Sequence, residues 1–358
     1  MLVAAEDVNI QAILYGSPTM QHSITSSDRA IEALIAFSWY RHDTKPNVEI
    51  AKHAVSMAKG FRIKRYIAST LWCLGSTYFI LAEFHSAYDH LQEAYQLFNT
   101  LLPGDHELQR LCCLCGIDLI SAERFESNNR VKAISLARDV VKRSATISDD
   151  LVHGRSLEKL GLVLSEHGHR QEALRHLECA KLKLVGSIHL TDVCQSIAMV
   201  HYDENRLPEA LDALKEAWKH AESRNNSVAQ AFLSLTYGYI LFAANKDTEA
   251  WKYIEICLMK NSHLGNRRTS AIALEYMGYG YLRRADFLNA YGAYEAAAEN
   301  YLGTSCESQI GKCRRNIAKI KDKQRNPDLN VGFERPYLDK DCRSLFYPTV
   351  KTFPGDTS

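Results

Sequence analysis

The chain has 358 residues, 46% of them hydrophobic, and its 43 lysines and arginines are balanced by 42 aspartates and glutamates. A net charge of +1 gives no electrostatic reason to expect nucleic acid or an anionic membrane surface as a partner. Eight prolines and 18 glycines are few for this length, which favours helices over a protein of short strands and turns.

Residues 1–27 predict one short helix followed by a loop, without the basic region and apolar run of a secretory signal. Ser26, Ser27 and Asp28 offer N-cap oxygens for a helix that runs through Trp39, and Pro46 suits the start of the next helix. No stretch approaches the roughly 18 uninterrupted apolar residues of a membrane span. The chain is therefore not expected to enter a membrane.

From Tyr66 onward a pair of amphipathic helices recurs. In each copy a small residue of the first helix precedes an alanine of the second helix by twelve positions. Five copies place these two residues at 75 and 87, 161 and 173, 198 and 210, 238 and 250, and 278 and 290. A sixth copy, Gly116 with Ala133, fits if the turn is five residues longer, and a degenerate copy precedes them. Repeats of this kind stack and bury their apolar faces against their neighbours.

Residues 304–325 predict a further helix that is rich in basic residues. An anion or nucleic-acid patch is one interpretation. The favoured one is a capping helix that shields the last repeat with Ile310, Ile317 and Ile320. The irregular tail, residues 326–358, has six large apolar side chains that we expect to fold back onto the repeats, into their groove, and compete with a partner. These six residues are Phe333, Tyr337, Leu345, Phe346, Tyr347 and Phe353.

Ten cysteines without the spacing of a small disulfide-rich domain indicate reduced thiols, and hence a cytoplasmic protein. Cys112 and Cys115 would share one helix face, as in a metal or redox site. No second Cys or His pair has ligand spacing, so burial as small apolar residues is the favoured interpretation. Cys179 and Cys194 are expected on similar apolar stripes.

The run Leu71-x2-Leu74-Gly75-x2-Tyr78, followed by Ala87-x3-Leu91, resembles the tetratricopeptide repeat (TPR). The resemblance covers residues 28–303 and implies an all-α fold, an α-α superhelix of about six to seven helix-turn-helix repeats. The leading tryptophan of the motif is missing, and the linkers are longer than the standard of about 34 residues allows. Such longer repeats are similar to the arrays of fungal NACHT- and NB-ARC-type signalling proteins and of kinesin light chains.

In TPR proteins the residues just after the packing stripe of the first helix face a concave groove. The positions that this resemblance implies as partner-binding are Trp72, Ser76, Phe79, Leu235, Tyr239, Phe242, Glu275, Tyr279 and Arg283. Aromatic residues stand where some members carry the Lys and Asn that grip a C-terminal carboxylate. An amphipathic helix or an extended segment with large side chains is therefore the expected ligand. Packing of repeat against repeat is the competing interpretation of these aromatics, and the sequence leaves the two open.

We find no convincing catalytic constellation, metal site or cofactor site. His167 and His169 fall in a turn between helices, and Asp149-Asp150 is typical of a helix start. The expectation is therefore a non-enzymatic scaffold or sensor that binds a protein or peptide segment. The alternative is the repeat region of a larger NACHT- or NB-ARC-type signalling NTPase that acts in cis, although no phosphate-loop motif occurs here. The oligomeric state stays open.

Overall fold

Helix pairs follow one another along the described part of the chain, as the twelve-residue spacing predicts. The structure is a computed structural model that describes residues 24–42, 46–81, 83–101, 105–126, 130–264, 267–302, 306–334 and 336. The chain divides into two compact units: unit 1 comprises residues 1–122 and 351–358, and unit 2 comprises residues 123–350. The short helix predicted near the start of the chain lies outside the described residues.

Fifteen helices and no strand occur in the ranges just given. Unit 1 holds α1 (Ile24–His42), α2 (Val48–Phe61), α3 (Lys64–Ile80) and α4 (Phe84–Leu101), and α5 (His106–Glu126) crosses the boundary between the units. Unit 2 holds α6 (Arg130–Ser144), α7 (Asp150–Glu166), α8 (Arg170–Lys183), α9 (Leu190–Asp203), α10 (Leu207–Ser223), α11 (Ser227–Ala243), α12 (Asp247–Leu264), α13 (Arg267–Arg283), α14 (Phe287–Tyr301) and α15 (Glu307–Arg325). This all-α architecture agrees with the prediction.

Close contact between the two helices of a pair explains the small residue at its fixed position. A β-carbon on Gly161 would lie 2.6 Å from Cγ of Leu177 in α8, and one on Gly75 would lie 2.7 Å from Cγ of Leu91 in α4. Gly154, two turns earlier in α7, faces Leu184 near the end of α8, so the paired helices run antiparallel. A larger side chain at these glycines would force the helices apart.

The turns within successive pairs of unit 2 share one conformation. Gly168, Asn205, Asn245 and Ala285 each have a positive φ just past the end of the first helix. The next amide then donates back five residues, for example from Asp286 N to the oxygen of Tyr281 at 3.0 Å. This is the hydrogen bond of a Schellman motif. It closes a tight turn between the two helices of each pair.

The core of unit 2 runs along the helix pairs and ends under α15. Tyr294 and Tyr301 of α14 are fully buried, and Cys313 and Ile320 of α15 pack into the same apolar cluster. The capping interpretation of the C-terminal helix agrees with this packing.

Two sequence expectations are wrong in detail. The first described helix begins at Ile24, before Ser26, Ser27 and Asp28, so these residues do not precede it as N-cap candidates. Cys179 is exposed, whereas the other eight cysteines of the described ranges are buried.

Candidate functional site

The first helix of each pair in unit 2 has a face to one side of the small residue that contacts the paired helix. At about 100° per residue, the positions one after, three before and six before the small residue lie about 60–120° round the helix from it. We call these positions on α7, α9, α11 and α13 the groove face. They are Leu162, Glu158 and Arg155; Met199, Gln195 and Asp192; Tyr239, Leu235 and Phe232; and Tyr279, Glu275 and Ile272. Because α7 contacts α9, α9 contacts α11 and α11 contacts α13, the four sets adjoin.

The α11–α13 half of the groove face is aromatic. The ring of Tyr239 lies 4.5 Å from that of Tyr202 and 5.7 Å from that of Tyr276, between ring centroids. Phe242 continues the row, with centroids 6.3 Å from Tyr276 and 6.2 Å from Tyr279. Leu235, Tyr239 and Phe242 are buried, and Tyr279 is half-buried. The structure thus brings these four sequence-predicted residues together, and Tyr279 offers the largest accessible ring among them.

Glu275 and Arg283, the two charged residues that the sequence assigned to the groove, bind other parts of the chain. Glu275 is buried and accepts a hydrogen bond from Tyr301 Oη at 3.1 Å. Its carboxylate also lies 3.4 Å from Nζ of Lys312 in α15. Arg283 pairs with Asp247 at 3.0 Å and donates to the carbonyl oxygen of Phe242 at 3.3 Å. Both side chains therefore tie neighbouring helices together.

The α7–α9 half of the groove face carries a cluster of charged residues. Arg155 and Glu158, together with the adjacent Lys159 of α7, are all buried, and Lys159 Nζ donates to Glu158 at 3.2 Å. His189, the residue before α9, and Asp192 of α9 approach each other at 3.5 Å. Sequence reasoning missed this cluster, although Arg155 and Glu158 stand six and three residues before Gly161, at groove-face positions. The cluster was overlooked because the search followed aromatics.

Burial shifts the pKa values of His189 and Asp192. It raises the pKa of Asp192 to about 7, against the opposing effects of Lys159, Arg155 and His220. Burial and then the positive charge of Arg155 hold the pKa of His189 well below its usual value. Near neutral pH the imidazole is therefore uncharged, and Asp192 carries only part of its negative charge.

A polar bridge joins the two halves. Gln195 Nε2 of α9 donates to Thr236 Oγ1 of α11 at 2.7 Å, and Thr236 in turn donates to the carbonyl oxygen of Phe232 at 3.2 Å. All three residues are buried. The bridge fixes the α9–α11 contact, where the charged half meets the aromatic half.

In unit 1, Trp72 and Ser76 serve a contact between α3 and α5. Trp72 Nε1 and Ser76 Oγ both donate to the same carboxylate oxygen of Asp118, at 2.8 and 3.0 Å. The indole of Trp72 also lies 5.1 Å from that of Trp39, between centroids. Phe79 is half-buried, with its ring centroid 5.6 Å from that of Phe84. These contacts occupy the polar atoms of Trp72 and Ser76 within unit 1.

The basic residues of α15 are largely engaged. Arg315 binds both oxygens of the Glu334 carboxylate, at 2.7 and 3.0 Å. The side-chain amide of Asn316 donates to the carbonyl oxygen of Glu334 at 2.9 Å and accepts from its backbone N–H at 2.8 Å. Lys323 donates to the carbonyl oxygen of Leu329 at 2.9 Å, and Lys321 lies over the ring of Tyr291. The start of the tail is therefore held on α15.

Of the six tail residues expected to pack on the repeats, Phe333 does so. Its ring lies 6.3 Å from that of Phe287, between centroids, and it packs against the core of unit 2. Tyr337, Leu345, Phe346, Tyr347 and Phe353 lie outside the described residues.

Within the described ranges, no group of three or more His, Cys, Asp or Glu side chains is arranged to hold a metal ion. The helices described here include none with the length and apolarity to cross a membrane. His167 and His169 flank the turn at Gly168, and Asp149 caps α7 by accepting from Val152 N at 3.1 Å. Both placements agree with the sequence interpretation.

Several solved structures share this fold. The apo form of RapI matches with a TM-score of 0.56 and 12% identity, over 79% of this chain and 99% of that one. Aspartyl phosphate phosphatase F from Bacillus subtilis matches with a TM-score of 0.55 and 12% identity, over 77% and 70%. The Rap conjugation gene regulator of plasmid pLS20, solved with the Phr* peptide, matches with a TM-score of 0.54 and 13% identity, over 86% and 94%.

No family model and no curated protein matches the sequence. At these identities the structural similarity shows the fold alone, an all-α repeat fold of the TPR-like kind. The three structures named above give no support to a NACHT- or NB-ARC-type context.

Proposed function

We propose that unit 2 binds an extended peptide or protein segment along the groove face, and that the protein is a scaffold or sensor. The observation that carries this proposal is a continuous row of groove-face side chains on four adjoining helices, which changes from charged to aromatic. An extended ligand can meet both kinds of chemistry, since backbone length gives reach and alternate side chains give specificity. The protein of similar fold that was solved with the Phr* peptide supports this reading.

The proposal includes the absence of an enzymatic activity. Support comes from the groove face, whose buried polar groups bind one another rather than forming a nucleophile with its base. One of the proteins of similar fold is named a phosphatase, so hydrolysis of an aspartyl phosphate is the activity to assay first. We also propose a cytoplasmic, signalling role, supported by the nine described cysteines, which form no disulfide with one another.

The second candidate, a sensor region that acts in cis within a NACHT- or NB-ARC-type NTPase, has only the repeat resemblance behind it. The groove-face chemistry fits a ligand in trans equally well. Partners other than a protein or peptide segment gain no support from the contacts of α15.

A synthetic library of randomised, C-terminally amidated nonapeptides tests the proposal. The full chain is incubated with the library, separated by size exclusion, and the retained peptides are identified by mass spectrometry. We expect a retained set that the Tyr279→Ala chain loses by about tenfold or more, because truncating a large ring at a contact site removes much of its binding energy. The control is Leu288→Ala, in an exposed side chain at the start of α14.

Equal retention by the Tyr279→Ala chain, with its circular dichroism unchanged, would contradict binding at the aromatic half. Retention by neither chain would contradict the proposed function as a whole.

A further inference from the structure

Arg155 has an unusual environment for a buried cation. Only 5% of its surface is exposed, yet it forms no hydrogen bond or ion pair with any residue that the structure describes. Buried arginines normally bind a carboxylate or carbonyl, because an unpaired buried charge is strongly unfavourable. Its guanidinium can donate five hydrogen bonds, two of them in parallel to one carboxylate.

The carboxylates near Arg155 do not bind it directly. Lys159, a second cation on α7, donates to Glu158 at 3.2 Å. Asp192 of α9 interacts electrostatically with Arg155 but forms no hydrogen bond or ion pair with it. Among the described residues, the guanidinium of Arg155 therefore keeps its donors available for one further carboxylate.

We propose that Arg155, with Lys159 beside it, binds a carboxylate of the segment that occupies the groove face. The inference rests on the proposed function and names the ligand class: an extended peptide with an acidic group over α7–α9 and apolar or aromatic side chains over α11–α13. The unpaired donors of Arg155 argue for this occupant at one end. At the other end, the argument is the row of rings that runs from Tyr239 through Tyr276 and Phe242 to Tyr279.

The arrangement of the helices also predicts how far apart the acidic group and the first aromatic side chain of the ligand should be. Neighbouring packed helices lie about 8–10 Å apart, so α7 and α11 are about 16–20 Å apart on this face. An extended peptide advances about 3.3 Å per residue. The acidic group and the first aromatic side chain of the ligand should therefore be separated by about five or six residues, which a nonapeptide can span.

Two nonapeptide libraries, one amidated and one with free C-termini, test the inference on the full chain and on the Arg155→Met chain. We expect aspartate or glutamate to be enriched about five or six residues from an aromatic residue. This enrichment should disappear with Arg155→Met, while the aromatic preference stays. The matched control is Arg138→Met, in an exposed arginine of α6 that pairs with Glu172 outside the groove face. Enrichment in both libraries assigns the carboxylate to a side chain, and enrichment with free C-termini alone assigns it to the peptide terminus.

The best acidic peptide then enters a double-mutant cycle. Arg155→Met should weaken its binding about tenfold or more, as should Asp→Asn in the peptide, and the two losses should not add. If the methionine chain does not retain the wild-type circular dichroism, Arg155→Lys replaces it, with a smaller loss expected because the charge remains but the bidentate geometry is lost.

A retained peptide set with no acidic preference, or with the same preference on Arg155→Met, would overturn the inference and leave the proposed function standing. Retention of no peptide by the wild-type chain would overturn both. The chain also carries Asp339 and Asp341 beyond the described residues. If Asp339→Asn with Asp341→Asn increases peptide retention, the chain itself is a second source of the same carboxylate.

Discussion

The two halves of the groove face in unit 2 are built on the same framework and reach opposite electrostatic states. In α7 and in α11 a glycine at the same position meets the paired helix, Gly161 against Leu177 and Gly238 against Ile254. In the aromatic half the rings pack against one another, and the buried carboxylate of Glu275 is bound by Tyr301 and Lys312. In the charged half Arg155 forms no hydrogen bond or ion pair with a described residue, and burial raises the pKa of Asp192 to about 7.

This difference separates stability from recognition. Where neighbouring side chains complete one another, the surface contributes to folding and gains less from a ligand. Where a buried charge lacks a hydrogen-bonded partner, the folded protein is less stable. A ligand that supplies that partner then binds more tightly. The aromatic half should therefore dominate the stability of unit 2, and the charged half should dominate the choice of ligand.

The largest effect is expected from Tyr276→Ala in the aromatic half. Tyr276 is buried between Tyr239 and Phe242, and its hydroxyl lies 3.5 Å from the carbonyl oxygen of Pro336. Removing the ring should lower the free energy of unfolding by about 3–5 kcal/mol, because a large cavity remains. Urea unfolding followed by pulsed hydrogen exchange of α11 and α13 peptides measures the loss within unit 2.

Tyr291→Ala is the matched control, since that ring is only half-buried under Lys321. Its loss should stay below about 1 kcal/mol. Equal losses for the two tyrosines would show that the aromatic half does not stabilise unit 2 more than an ordinary surface ring does.

The sequence predicts how the two helices of a pair pack, but it does not predict the electrostatics of the groove face. The spacing of Gly161 and Ala173 is local information, since helix period and close packing determine it. The loss of solvent around Arg155 and Asp192 depends on how α7 and α9 approach, which no spacing along one helix reveals. Glu275 shows the reverse failure. Its position predicts a groove residue, but its partners Tyr301 and Lys312 come from α14 and α15.

The next effect concerns Asp192→Asn in the charged half, and it depends on pH. The folded state raises the pKa of Asp192 to about 7, from an ordinary value near 4. Between these values the folded protein holds a proton that the unfolded chain has lost, so stability falls as pH rises through this window. Asparagine does not titrate, so the variant should equal the wild type near pH 4. It should be the more stable protein at pH 8, by at most about 4 kcal/mol.

Urea unfolding at pH 5 and pH 8, read from α9 peptides by pulsed hydrogen exchange, measures this difference. Asp212→Asn is the control, because that exposed carboxylate of α10 pairs only with exposed Lys215 at 2.8 Å. It should change stability by less than about 0.5 kcal/mol at either pH. A stability difference for Asp192→Asn that does not grow with pH would show that the carboxylate is ionised in the folded protein throughout.

The smallest effects are expected from removing one cation in each half, and their signs should differ. Lys312→Met removes the cation that pairs with the buried carboxylate of Glu275. The pair is mostly but not wholly buried, so the loss should be about 1–3 kcal/mol. Arg155→Met removes a buried cation that forms no hydrogen bond or ion pair with a described residue, and replaces it with an apolar side chain of similar length. Stability should stay the same or rise by about 1 kcal/mol.

Thermal and urea unfolding of the two methionine variants, without any peptide present, decides this comparison. If Arg155→Met lowers the free energy of unfolding as much as Lys312→Met does, Arg155 stabilises the folded chain. Its charge would then already be compensated without a ligand. A gain at Arg155 with a loss at Lys312 would show that the charged half gives up stability that the aromatic half retains. That outcome is expected of a site whose electrostatic complement comes from its ligand.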